Sequence, residues 1–245
     1  MPFSTTVRRT IPLPLRQEVK HHLRRLDDAF HQIHFTKATG HFTAHPPIQL
    51  VQPVRHSAFY ENKIINITRG AALLNKSLIP AHQHWSFWHR LHRPDAANGF
   101  VAGRNLVNGQ LVAQTGGGLC QLSSMVYHLA LLSGLSITER HAHSIDIYAE
   151  EQRYTPLGAD ATVVWGFKDL RLYNPHSFGI SIGLAVQNGE LHGEVSAEQA
   201  LVALPVEFVR VPLREPLVEV RTVVGSEVKA TTVYEQQQGL KAKTA

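Results

Sequence analysis

The chain reads as an α+β protein, with an N-terminal helical region followed by a helix packed on a mostly antiparallel sheet. Three observations predict this. Apolar residues recur at steps of three and four over residues 14–33 and again over 122–132, which is the helical period. Short alternating or β-branched runs, bounded by turn residues, fill residues 137–195. Two of those runs are joined by Asn188-Gly189, the dipeptide that closes a two-residue hairpin and makes its strands antiparallel.

The elements follow in order. Leu15, Val19, Leu23, Leu26, Phe30 and Ile33 form the apolar stripe of an amphipathic helix, so they are expected against the core. Arg16, Lys20, Arg24 and Arg25 lie on its other face, expected to be solvated. Residues 40–58 are rich in turn formers and read as loop with one short strand. A second helix is expected over 66–76, ending before Pro80. The stretch 82–94 is dense in histidine and aromatics; Phe87 is expected in the core, while Trp85 and Trp88 are open between core and substrate rim.

Leu122, Met125, Val126, Leu129, Ala130 and Leu132 mark the buried side of the next helix, with Gly134 at its left-handed stop. Alternation over 137–148 predicts a strand with Ile137, His141, His143, Ile145 and Ile147 on one face. Further strands are expected over 160–166, 169–174, 179–186 and 190–195. Residues 206–224 look strand-like, with prolines confining them to edges or short pieces, and the tail after Tyr234 is expected to fray. The organisation expected is an extension over 1–60, a core domain over 61–200, and C-terminal strands with a tail over 201–245.

Composition narrows the class. With 43% hydrophobic and 18% charged residues in 245, the chain can build a sizeable core, which excludes wholesale disorder. No apolar run approaches the roughly 20 residues that span a bilayer. The first 20 residues lack the apolar segment of a signal peptide, and one cysteine suits a reducing compartment, so a cytoplasmic location is the expectation. A formal charge of +5 and a pI near 9.5 permit an anionic partner without choosing one, and nucleic acid is disfavoured. The oligomeric state is open.

Chemistry concentrates where Gly116, Gly117 and Gly118 lead into Cys120 at a helix start. A helix N-terminus lowers a thiol's pKa through its oriented amides, and the same amides can hold an oxyanion. His141 and His143 follow, and then Asp160. A histidine takes the thiol proton and a carboxylate orients it, the parts that cysteine acyl transfer needs. The order of helix, base and orienter parallels papain-like and transglutaminase-like thiol enzymes. Cys120, His141 and His143 could instead supply three ligands of a zinc site. The glycine turn suits a nucleophile better than a ligand, so neither a metal nor another cofactor is expected.

Six segments carry a family resemblance: N-I-T-R-G-A-A-L-L-N (66–75), L-I-P-x4-W-S-F-W (78–88), G-R-x3-N-G-x5-T-G-G-G-L-C-Q-L-S-S (103–124), E-R-H-A-H-S (139–144), G-A-D-A-T-V (158–163) and D-L-R-L-Y-N (169–174). The chain resembles the VanW family over about residues 60–195. Exported members of that family resemble L,D-transpeptidases, which cross-link peptidoglycan through a cysteine acyl-enzyme. The resemblance implies a peptide or cell-wall precursor as substrate, with Cys120 the nucleophile, His143 or His141 the base, and Asp160 the orienter. Gly118 and the Cys120 N–H would face the oxyanion. Gly117, Gln121, Ser123, Arg140 and Trp88 are the implied substrate contacts. Ser123 and Arg140 have an alternative as ordinary polar positions on a helix and a strand. The other class of function is a non-catalytic accessory protein in resistance or wall metabolism, its Cys/His cluster structural or metal-holding.

Overall fold

Two helices and one sheet make the core. The first, α2 (Tyr60–Leu74), buries Ile67, Ala71 and Leu74; the second, α4 (Leu119–Leu132), buries almost all its side chains. They cross at Gly70, where an added Cβ would lie 2.5 Å from Leu122. Both pack on an antiparallel sheet of order β1-β10-β9-β2, formed by β1 (Ile48–Pro53), β2 (Ser77–Ile79), β9 (Ile180–Gln187) and β10 (Glu190–Ala197). Gly193 of β10 leaves room for Met125 and Leu129 of α4. The computed structural model describes residues 11–56, 59–107, 110–146 and 148–237, apart from the side chains of 104–113.

Three smaller sheets complete the α+β architecture. One has the order β3-β8-β6, from β3 (His84–Ser86), β6 (Ser136–Glu139) and β8 (Arg171–Tyr173). The hairpin of β4 (Ala102–Val107) and β5 (Gln110–Thr115) delivers the chain to the glycine turn. A C-terminal meander, β11 (Val206–Pro212), β12 (Leu217–Val224) and β13 (Glu227–Gln236), adds β7 (Ile145–Asp146) in parallel beside β13. The remaining helices are α1 (Leu13–Phe30) and the short α3 (Phe87–Leu91), capped by Ser86.

Several expectations meet their elements. Asn188 and Gly189 both take positive φ, and the hairpin they close pairs β9 with β10. Gly134 (φ 71°) ends α4 with the amide of Leu135 on the carbonyl of Ala130 and its own on Leu131, a Schellman stop. Trp85 and Phe87 are buried core residues. The second helix starts six residues earlier than its apolar period suggested.

Other expectations are corrected. The apolar stripe of α1 faces away from the body: Leu15, Val19, Leu23, Leu26 and Phe30 are all exposed, with Phe30 at 83%. The helix is held by its polar side. Asp28 forms a two-point ion pair with Arg171 (2.6 and 3.0 Å), Glu18 meets Arg93 (2.8 Å), Arg24 pairs with Glu139, and His21 stacks on Trp165. Four charged or aromatic partners on the body outbid the stripe, so Arg24 is an anchor and not a solvated residue.

The strand expected over 137–148 is two pieces, β6 and β7, with 140–144 outside both. His141 and His143 therefore do not share a strand face. No strand forms over 160–166; Val164 and Lys168 close a tight turn there instead. At the C-terminus, β13 continues past Tyr234 to Gln236, and the rest of the expected frayed tail lies outside the described residues.

Candidate active site

The turn before α4 sets the site. Gly118 caps the helix with φ 102°, a left-handed conformation that costs an L side chain energy and glycine none. Gly117 lies against the backbone of Gly103, where a Cβ would come within 2.2 Å of a carbonyl carbon. The carbonyl of Gly117 accepts from Asn66 Nδ2 (2.9 Å), which ties the turn to α2. The amides of Gly118 and Cys120 donate to no backbone carbonyl among the described residues. Cys120 sits at the second position of α4, half-buried, its thiol directed at the carbonyl of Val163 (3.8 Å).

His143 closes on it from the segment between β6 and β7. Its Nδ1 lies 2.8 Å from Asp160 Oδ2, and its imidazole stands near enough to the Cys120 thiol for each to shift the other's ionisation. The same carboxylate oxygen accepts the backbone N–H of His143 (2.6 Å). With Nδ1 committed to Asp160, Nε2 is the nitrogen left for the thiol.

The electrostatics follow from this contact. Burial opposes charge on both groups, yet each shifts toward its charged form. The Asp160 hydrogen bond and the neighbouring thiolate raise His143 to about 10. For Cys120, burial raises the thiol, and the neighbouring His143 outweighs it, leaving a lowered pKa. For Asp160, burial likewise works against ionisation, but His143 and Arg140 hold the carboxyl well below the usual carboxylate range. The arrangement favours a thiolate–imidazolium pair.

His141 goes elsewhere. Its Nε2 is 2.8 Å from Glu139 Oε1, so it belongs to the charged cluster that anchors α1. Among the described residues no group of three or more His, Cys, Asp or Glu side chains could hold a metal ion, and the zinc alternative built on Cys120 and both histidines has no geometric support.

The expected substrate contacts divide. Gln121 and Trp88 line a cleft of about 1370 Å³ that also contains Cys120, His143 and Asp160. Gln121 donates to the carbonyl of Pro53 (3.0 Å), and its Oε1 is buried with no partner among the described residues. Ser123 is fully buried and donates to the carbonyl of Ala161 (2.6 Å). Arg140 is fully engaged: Nε meets the Asp160 carbonyl (2.8 Å), and the terminal nitrogens reach Asp160 Oδ1 (3.1 Å), Gly158 O and Thr232 Oγ1. Its guanidinium also lies over the Tyr127 ring. Ser123 and Arg140 thus hold the loop that carries Asp160, and Gly117 serves the turn.

Two residues escaped the sequence reading. Tyr234 of β13 donates to Asp160 Oδ1 (2.5 Å), and Tyr154 lines the cleft, buried enough that its phenol is raised well above its ordinary pKa. Neither has a local motif, because each reaches the site only through long-range packing.

Residues 62–196 match the sequence profile of the VanW family, described as "VanW like protein". The chain belongs to the VanW family. Its relatives include "Vancomycin B-type resistance protein VanW" of Enterococcus faecalis, 30% identical over 146 residues, 60% of this chain and 53% of that protein. Another is "Uncharacterized protein YoaR" of Bacillus subtilis, 30% identical over 117 residues, 48% of this chain and 37% of that protein. This VanW-family chain spans about half or less of the length of these curated relatives. No solved structure matches it. Among the described residues, no helix is long and apolar enough to cross a membrane.

Proposed function

We propose that Cys120 is the nucleophile of an acyl-transfer reaction on a peptide of the cell-wall precursor type, with His143 as acid and base and Asp160 as orienter. The observation that carries this reading is the Cys120 thiol at a helix N-terminus beside the hydrogen-bonded His143–Asp160 pair, inside a large cleft. In this reading the Cys120 thiolate attacks a peptide carbonyl, forming a C–S bond and an oxyanion facing the amides of Gly118 and Cys120. Collapse breaks the C–N bond as His143 gives its Nε2 proton to the departing amine. An incoming amine or water then cleaves the thioester and returns a proton to His143. Transfer to an amine is transpeptidation; transfer to water is amide hydrolysis.

Support for the peptide class comes from the cleft, whose lining includes the aromatics Tyr60, Trp88, Tyr148, Tyr154 and Trp165 as well as the charged Arg55, Lys63 and Glu151. The name of the Enterococcus faecalis relative adds a vancomycin-resistance context, in keeping with wall peptides.

Alkylation by iodoacetamide across pH, in the wild type and in His143→Ala, tests the proposal. The chain has one cysteine, so every label reports on Cys120. The apparent thiol pKa is expected below the reference of about 8.5, and to rise in the variant. A thiol that reacts only on unfolding, or with the same pKa in both proteins, overturns the nucleophile assignment.

A further inference from the structure

The outward face of α1 is an exposed apolar strip. On the helical wheel Leu15, Val19, Leu23, Leu26 and Phe30 occupy one continuous strip, centred opposite the side that carries Arg24 and Asp28 into the body. The exposures are large: 52% for Leu23, 68% for Leu26 and 83% for Phe30. Five aliphatic or aromatic side chains left to water on one helix are costly unless something covers them.

The charges beside the strip indicate what covers it. Lys20 lies on one flank, and His22 and Arg25 lie on the other; all three are exposed, and none forms an ion pair among the described residues. Of the helix's acids, Glu18 is taken by Arg93 and Asp28 by Arg171, which leaves Asp27 beside His31. A second copy of the helix laid across the strip would set Lys20 and Arg25 near their own counterparts, with Asp27 on the Lys20 flank as the one unclaimed acid to offset them. An anionic lipid surface would instead take the apolar strip between its acyl chains and the flanking cations onto its headgroups.

We infer that α1 is an interfacial helix, through which the protein docks on an anionic lipid surface with its apolar strip inserted and Lys20 and Arg25 at headgroup level. Leu13 and Gln17, in the first two turns, also line the cleft that holds Cys120. Docking therefore sets one end of the cleft beside the lipid, where a lipid-anchored substrate would be presented. The docking itself does not depend on the catalytic reading.

Co-sedimentation of the full chain with vesicles tests this. Binding to mixed phosphatidylglycerol–phosphatidylcholine vesicles is expected, at least roughly tenfold tighter than to pure phosphatidylcholine, and weakened by salt. Leu23→Glu with Leu26→Glu should abolish it; both side chains are more than half exposed, so the fold is retained, as far-UV circular dichroism and the melting temperature will report. Lys20→Gln with Arg25→Gln should weaken it on the order of 30-fold. Absence of sedimentation, equal binding to both vesicle types, or double-glutamate binding like the wild type overturns the inference. So does a dimer in sedimentation velocity that the double-glutamate variant dissolves while no vesicle is bound, since that result assigns the strip to a second copy.

Discussion

Tyr234 of the last described strand donates its hydroxyl to Asp160 Oδ1 at 2.5 Å, while Oδ2 of the same carboxylate receives both the backbone N–H and Nδ1 of His143. The C-terminal meander thus closes the site from outside the family-matched segment of residues 62–196. Arg140 meets the Tyr234 hydroxyl as well (3.2 Å), so carboxylate, guanidinium and phenol form one buried network.

Removing one member of that network measures it. Tyr234→Phe deletes a hydrogen bond to a charged acceptor without leaving a new buried donor unpaired. The expected loss of unfolding free energy is about 1.5–3 kcal/mol, read from urea denaturation at neutral pH. An unchanged midpoint would mean that Arg140 and His143 hold Asp160 without it.

The thiol and imidazole make an alkaline signature. His143 is raised to about 10 in the fold, so its contribution is full below the unfolded value of about 6.5 and is lost as pH climbs to about 10. Cys120 is lowered and has the opposite sign: its contribution is present above the unfolded value of about 8.5 and lost as pH falls through the folded one. Over the part of the range of about 6.5–8.5 in which the folded thiol is ionised, the folded pair and the unfolded chain both hold one proton, and stability is flat. Above 8.5 only the folded state keeps that proton, so about 2 kcal/mol is lost by pH 10. In Cys120→Ser the decline should begin near 6.5. Denaturation midpoints across this range check both limbs.

Glu139 governs the acid side. Burial works against its charge, but His141 and Arg24 hold its carboxyl down at about 2. Its contribution is therefore present above about 4.5 and lost as pH falls toward 2, on the order of 3 kcal/mol in all. Glu139→Gln should flatten the acid limb of the stability curve over that window. It should also free the Arg24 anchor, so limited proteolysis is expected to cut near α1 faster in the variant than in the wild type.

Much of the candidate site is legible in the sequence. Cys120, His143 and Asp160 were singled out from residue type, order and a glycine-marked helix start, because a thiol at a helix N-terminus needs a flexible turn in front and a base behind. The two histidines could not be separated that way. Strand parity put both on one face, and the backbone leaves the strand at Arg140, where the Asp160 carboxylate captures the N–H and Nδ1 of His143 and turns His141 toward Glu139. The β4–β5 hairpin was also missed, although Asn108-Gly109 between its strands, outside the described residues, is the same dipeptide that identified the later hairpin.

Helical period, hairpin dipeptides and helix stops are properties of neighbouring residues, and here they were enough to establish α1, α4 with its Gly134 stop, the β9–β10 hairpin and the α+β class. They say that an apolar strip exists on α1 but not which way it faces. That depended on where Glu139, Trp165 and Arg171 stand in the folded body, since ion pairs and a stacked ring there hold the polar side inward. Likewise Arg140, read as a substrate contact, became the clamp on Asp160 only when β13 delivered Thr232 and Tyr234 to it. Partners nearly a hundred residues apart carry no mutual signature in a single sequence; packing alone brings them within a hydrogen bond.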